Sequence, residues 1–267
     1  MNEQVMPQSD NALGLGANFT ANKAERSAEL AGRKIDLELS NGQDFSFEFV
    51  DAEKMRWSSR GAAVKRDETY EAQRVADDLF LIAFQHADDL RTSMSFVADL
   101  RSGEVVFIQN VVGEKIGNEP AVIQTVTLGR VADQALQGEK IAQTSDLFGR
   151  RAMWIYSEDD VYEHIYLNAE WYAWHCLKGE EYPKADIDPC QMFRLREDIY
   201  LLTFSEKVMV MAAGMVLDFS GLRSYCAALG RDPATNEITH FTFGAYGMIL
   251  SQTNYPEPLV KPAALAP

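Results

Sequence analysis

The chain has 267 residues, 46% of them hydrophobic and 24% charged, enough for one large or two small domains with a sizeable core. A formal net charge of −15 argues against a nucleic-acid or anionic-membrane surface, since both need a basic face. No run approaches the ~18 apolar residues of a membrane span.

The opening MNEQVMPQSD lacks the basic and apolar regions of a secretory signal, and residues 1–17 are expected to be mobile. The stretch ANKAERSAELAG at 21–32 predicts a short helix stopped by Gly32, which would plug or cover the open end of the adjoining domain. From residue 34 the pattern becomes period-two. Runs at 34–39, 45–50, 55–58, 72–75, 79–84, 92–98 and 105–110 read as strands, separated by turn signals such as Asn41-Gly42 and Ser102-Gly103. Short strands at this spacing indicate an antiparallel sandwich or barrel. Between 113 and 148, AVIQTVTLG reads as a strand and VADQALQGEKI as a short linker helix.

The stretch at 154–175, WIYSEDDVYEHIYLNAEWYAWH, reads as two aromatic, alternating runs around the turn Leu167-Asn168-Ala169-Glu170. Closure about Asn168-Ala169 predicts Tyr166 opposite Trp171, His164 opposite Ala173 and Tyr162 opposite His175. One face would then hold two histidines and two tyrosines, and the other Glu163, Ile165, Tyr172, Trp174 and Cys176. A cavity gripping an aromatic or polar ligand needs such a face. The three cysteines, Cys176, Cys190 and Cys226, form no CxxC pattern and read as reduced, buried thiols of a cytoplasmic protein.

The second half repeats the first. RVADDLFLIAF at 74–84 matches RLREDIYLLTF at 194–204, SFVADL at 95–100 matches GMVLDF at 214–219, and FSFEFVDAEKMRW at 45–57 matches YEHIYLNAEWYAW at 162–174. Three blocks in one order, offset by 120, 119 and 117 positions, predict a tandem duplication. The expected organisation is an N-terminal segment at 1–33, one unit at 34–148, a second at 149–254 and an irregular, proline-rich tail at 255–267.

Through DVYEHIYLNAEWYAWHCLKG and DIYLLTFSEKV the chain resembles the molybdenum cofactor biosynthesis protein F (MoaF) family. Each half is also similar to the phenolic acid decarboxylases, calycin-like (lipocalin-like) antiparallel β-barrels that hold substrate inside the barrel. The resemblance implies an all-β protein of two tandem calycin-like barrels. It places the decarboxylases' catalytic glutamate on Glu206 and their paired tyrosines on Trp154 and Tyr156. Their arginine has no counterpart here; Lys184 is only nearby. The first repeat carries Leu37, Leu39, Phe45, Phe47, Phe49 and His86 where the second has Trp154, Tyr156, Tyr162, His164, Tyr166 and Glu206, so the site is expected in the second barrel.

Glu206 shares the parity of Tyr200, Leu202 and Phe204, and burial would make it a proton donor or acceptor; the alternative is a solvated strand end. Glu206, Tyr156, His164 and His175 are the candidate catalytic residues. Trp154, Tyr162, Tyr166, Trp171 and Phe204 are the candidate substrate-binding residues. Two histidines with no third ligand predict no metal, and no motif calls for a cofactor. The expected activity is that of a cofactor-independent lyase, decarboxylase or isomerase acting on a small aromatic or unsaturated acid. The alternative is a non-catalytic protein that binds or delivers a small hydrophobic or pterin-like ligand. The expected partner is that small molecule, with a homodimer as a further expectation and no nucleic acid or membrane.

Overall fold

The computed structural model describes residues 15, 18–62, 64–232 and 235–256. The expectations of a mobile N-terminus, except at Leu15, and of an irregular tail beyond 256 lie outside the described residues. Strands β1 (Lys34–Leu39), β2 (Asp44–Phe49), β3 (Lys54–Ser59), β4 (Arg66–Ala76), β5 (Leu79–Gln85), β6 (Thr92–Asp99), β7 (Glu104–Val112) and β8 (Val122–Val131) pair in chain order, and β8 returns to β1. That closes an eight-stranded antiparallel barrel. The AVIQTVTLG run supplies its closing strand.

A two-residue strand β9 (Ala142–Gln143) precedes the second set: β10 (Arg150–Ile155), β11 (Val161–Tyr166), β12 (Trp171–Lys178), β13 (Ala185–Arg196), β14 (Ile199–Ser205), β15 (Val210–Asp218), β16 (Arg223–Arg231) and β17 (Ile238–Gln252). These also pair in order, β17 closes on β10, and β9 attaches to β13. The protein is therefore all-β, with two tandem barrels.

The duplication extends to local detail. Asp78 and Asp198 both take a left-handed backbone, at φ 58° and 54°. Each sits just after a bulge in the preceding strand, at Arg74/Ala76 and Arg194/Arg196. Phe47 faces Trp57 in one barrel as His164 faces Trp174 in the other.

Alternation sends Ile35, Leu37, Leu39, Phe45, Phe47 and Phe49 into the first barrel, which their rings and those of Trp57, Phe84, Phe96 and Phe107 fill. Phe45 stacks on Phe107 at 5.0 Å and Phe47 lies 4.9 Å from Phe96. Strands β5, β6, β14 and β15 do not alternate, because both of their faces are covered. Leu81, Val97, Val106 and Ile108 of the first barrel pack outward against Phe193, Leu201, Val216 and Ala227 of the second. A Cβ at Gly214 would lie 2.5 Å from Ile108 Cδ1, so glycine is what lets the barrels approach. The Arg196 guanidinium reaches across this contact to Asp99 at 2.8 and 2.9 Å and to the Asp77 carbonyl at 2.8 Å.

The two expected helices do not form: among the described residues there is no helix. In 21–32 the backbone donors go to the barrels instead, Asn22 to the Tyr156 carbonyl, Ser27 to Ala72 and Gly32 to Phe49. Arg26 makes an isolated antiparallel bridge to Gln73. Helix propensity worth tenths of a kcal/mol per residue loses to these tertiary bonds. The segment still packs on the barrels: Leu30 joins the first core, and Phe19, just before the segment, joins the second. In the linker, Asp133 and Gly138 have positive φ, and Gln137 and Ile141 donate to Ser102 O and Glu104 Oε2, which excludes a helix. No helix of the described residues is long and apolar enough to cross a membrane.

Candidate functional site

The hairpin of β11 and β12 closes one residue away from the expected register. Tyr166 pairs with Tyr172, His164 with Trp174, and Tyr162 with Cys176. Asn168 Oδ1 accepts from the backbone N–H groups of Glu170 and Trp171, and the Trp171 carbonyl accepts from Leu167 and Asn168. The loop is thus five residues long rather than four, and an odd change in loop length exchanges the faces of the returning strand. Tyr172, Trp174 and Cys176 point into the barrel. Trp171 and His175 point out.

His175 is accordingly removed from the site. Its Nε2 lies 2.5 Å from Glu163 Oε2, while Arg151 Nε donates to Glu163 Oε1 at 2.5 Å. Burial works to raise the Glu163 pKa, but Arg151 and His175 overcome it and hold the carboxyl below its usual range. This is an outer-face charge cluster. Trp171 is 39% exposed with Lys207 over its ring, on the outer face of the barrel.

Inside, one end of the second barrel holds a cavity lined by Tyr156, Tyr162, His164, Phe204 and Glu206 from the expected set. Tyr172, Trp174, Glu181, Met209, Met211 and Phe243 line it as well, and so do Leu15 and Phe19. Trp154 and Tyr166 are fully buried in the same barrel but away from the cavity, where Trp154 Nε1 donates to Tyr166 Oη at 3.4 Å and both rings meet Phe219.

Glu206 follows β14 on the inward parity, and its N–H donates to the Met211 carbonyl at 2.8 Å, closing the β14–β15 turn. The residue is 5% exposed and its Oε2 has no partner. Burial, and then the negative charge of Asp188, Glu181 and Asp186, push its pKa well above the ordinary carboxylate range. This environment favours the protonated, neutral form of the acid.

Asp188 is fully buried and accepts from Trp174 Nε1 at 2.8 Å and from the Lys207 N–H at 3.0 Å. Tyr162 Oη donates to Glu181 Oε2 at 3.1 Å, and Lys184 Nζ reaches Glu181 Oε1 at 3.2 Å. Burial keeps the Tyr156, Tyr162 and Tyr172 phenols protonated. Burial also pushes His164 down to about 3, so its imidazole is neutral, and its Nδ1 has no partner.

The cavity thus offers phenols, a neutral imidazole and a neutral acid among aromatic walls. It can donate hydrogen bonds and move a proton. Among the described residues no arginine lines it, and the nearby Lys184 is already bound to Glu181, so an ionised carboxylate would find no free cation there. Among the described residues, no group of three His, Cys, Asp or Glu side chains is placed to hold a metal ion. The three cysteines are buried and unbridged.

Several site residues escaped the sequence reading. Tyr172 and Trp174 were lost with the register, and Leu15 and Phe19 arrive from outside the barrel strands. A signal for the register exists in the repeat. Asp51 stands where the second repeat has Asn168, and its Oδ1 likewise accepts from the N–H groups of Glu53 and Lys54. Both hairpins carry the same Asx-Ala-Glu turn of the same length.

Comparison with known proteins agrees with the two-unit structure. The family model described as MoaF N-terminal domain matches residues 11–113, and that described as MoaF C-terminal domain matches residues 141–253. Protein MoaF of Klebsiella aerogenes is 24% identical over 238 residues, spanning 85% of this chain and 88% of that protein. A solved structure from Burkholderia vietnamiensis, provisionally named a beta-lactamase, is 19% identical and covers 40% of this chain and 96% of its own, with a TM-score of 0.32.

Proposed function

The chain belongs to the MoaF family, and from that premise we propose that its second barrel binds a small aromatic or unsaturated molecule to which Glu206 delivers a proton, as in cofactor-independent lyase or isomerase chemistry. One observation carries this reading: a buried acid with an unpartnered oxygen, in a cavity walled by tyrosines, where burial and neighbouring carboxylates favour its protonated form. Such an acid can give its proton to an unsaturated carbon and recover one from the ligand's hydroxyl or α-carbon. Tyr156 and Tyr172 would orient the ligand's polar end, with His164 as a neutral hydrogen-bonding partner.

Glu206→Gln keeps the shape but has no proton to cycle. It is expected to lower kcat by ~100-fold or more, the scale of one acid–base group, while ligand binding changes only a few-fold. The assay is turnover of a panel of hydroxycinnamic-type acids, their methyl esters and related phenols. An active Glu206→Gln protein would end the catalytic reading.

A binding or delivery role is the second reading. It is favoured by the lining, in which aromatic and apolar side chains such as Phe19, Tyr156, Tyr172, Trp174, Phe204 and Phe243 predominate and can hold a ligand without converting it. A carrier would be stabilised thermally by members of the panel without converting any of them.

A further inference from the structure

Phe19 belongs to neither barrel's strands, yet it sits among the second barrel's core side chains and is only 6% exposed. Its ring stacks on Tyr156 at 4.5 Å and 17°, meets Tyr162 edge-on at 6.0 Å and lies 5.2 Å from Phe243. Leu15 is buried in the same cluster.

The repeat shows why there is room for this ring. In the first barrel, Phe96 on β6 faces Phe107 on β7 and the two rings help fill the interior. The matching cross-strand pair in the second barrel is Met215 and Cys226. Two phenyl rings of one barrel correspond to a thioether and a thiol in the other, whose core takes in a ring from the N-terminal segment.

That segment is held at the rim and not by the ring alone. Asn22 donates from its N–H to the Tyr156 carbonyl at 3.0 Å and from Nδ2 to the Ile155 carbonyl at 2.9 Å. Arg223 Nη2 donates to the Asn22 carbonyl at 3.0 Å, and Lys23 Nζ reaches Glu71 at 3.1 Å and Thr242 at 3.2 Å. Withdrawal of Phe19 would therefore loosen these attachments, which fix the segment at the barrel mouth only three and four residues further along the chain.

We propose that Phe19 is the internal occupant of an aromatic subsite, and that the ligand is a flat, uncharged aromatic molecule that displaces it to stack on Tyr156 and hydrogen-bond to Glu206 or His164. The inference rests on the second barrel being the ligand site, and it adds the ligand's class and the step that admits it. Stacking selects a flat ring. Glu181, Asp188 and the missing arginine select against an anion. Occupancy by Phe19 lowers the apparent affinity by the fraction of molecules that are open.

The test uses the full chain, with 2-naphthol as the uncharged probe and 2-naphthoate as its anionic counterpart, titrated at pH 7 by calorimetry. Phe19→Ala is expected to bind 2-naphthol roughly tenfold tighter than the wild type, and 2-naphthoate at least roughly tenfold more weakly than 2-naphthol. Asn22→Ala, which loosens the rim without touching the cavity, should show a smaller gain in the same direction. In the wild type, saturating 2-naphthol should speed tryptic cleavage after Lys23. Circular dichroism checks the fold of each variant; if Phe19→Ala does not fold, Asn22→Ala and the cleavage rate decide. Measurable 2-naphthol binding with no gain in the variants would overturn the inference alone, making Phe19 a fixed wall. Equal binding of 2-naphthoate would overturn the ligand class. Absence of 2-naphthol binding in all three folded proteins would overturn both this inference and the reading of the barrel as a ligand site.

Discussion

Glu206 is the residue at which stability and chemistry pull apart. Its folded pKa is raised, whereas in the unfolded chain it ionises near 4.5. Above that pH unfolding releases a proton, so the folded state loses stability as pH rises until the buried carboxyl itself ionises. Glu206→Gln lacks this pH dependence. Its Tm should match the wild type near pH 4 and exceed it by several degrees at pH 8; parallel Tm profiles would show that Glu206 is not held protonated. A side chain that weakens the fold at neutral pH is the kind kept for function. Its inward direction was legible from strand parity with Phe204. The outward direction of His175 was not, because it depended on the length of the turn at 167–171, which lies between His175 and its partner Glu163 twelve positions away.

Among the elements, the β11–β12 turn decides which side chains line the cavity. Asn168 holds it by accepting two backbone N–H bonds. Asn168→Ala removes both and is expected to cost about 1 kcal/mol in urea unfolding, with Asn168→Asp close to the wild type. An unchanged midpoint for the alanine variant would mean that strand pairing alone sets the register. Alternation announced both strands clearly, but alternation cannot tell a four-residue loop from a five-residue one. The segment at 21–32 failed differently. Its helix formers express a local preference, yet its backbone donors find acceptors outside the segment, on Tyr156, Ala72 and Phe49.

For the whole molecule, the duplication was legible because block order and spacing survive sequence divergence. The contact between barrels was half legible. Runs such as LFLIAF and YLLTF lack alternation and so announce strands buried on both sides, without naming what covers them. The Asp99–Arg196 pair ties that contact. Burial works to raise the Asp99 pKa, but Arg196 and the N–H groups of Ser102 and Arg101 bring it below the usual range. The pair's contribution is therefore present above pH ~4 and fades as pH falls through the depressed value. Arg196→Met leaves a buried carboxylate alone and should cost ~3–5 kcal/mol near pH 7. By urea titration at several pH values, the gap from the wild type should narrow in acid; a gap independent of pH would assign the loss to packing rather than charge.

The rim contacts of the N-terminal segment span very different lengths of chain. Asn22 meets Ile155 across 133 positions, Arg223 across 201, and Lys23 meets Thr242 across 219. On a ribosome, the first barrel can close long before any of these partners has been made. Phe19 must then wait, an exposed aromatic, until the last strand emerges with Phe243 to complete its socket. Residues 19 and 22, made before either barrel, are thus among the last to dock, and the second barrel's interior stays open to solvent, and to any small molecule within reach, up to that final step.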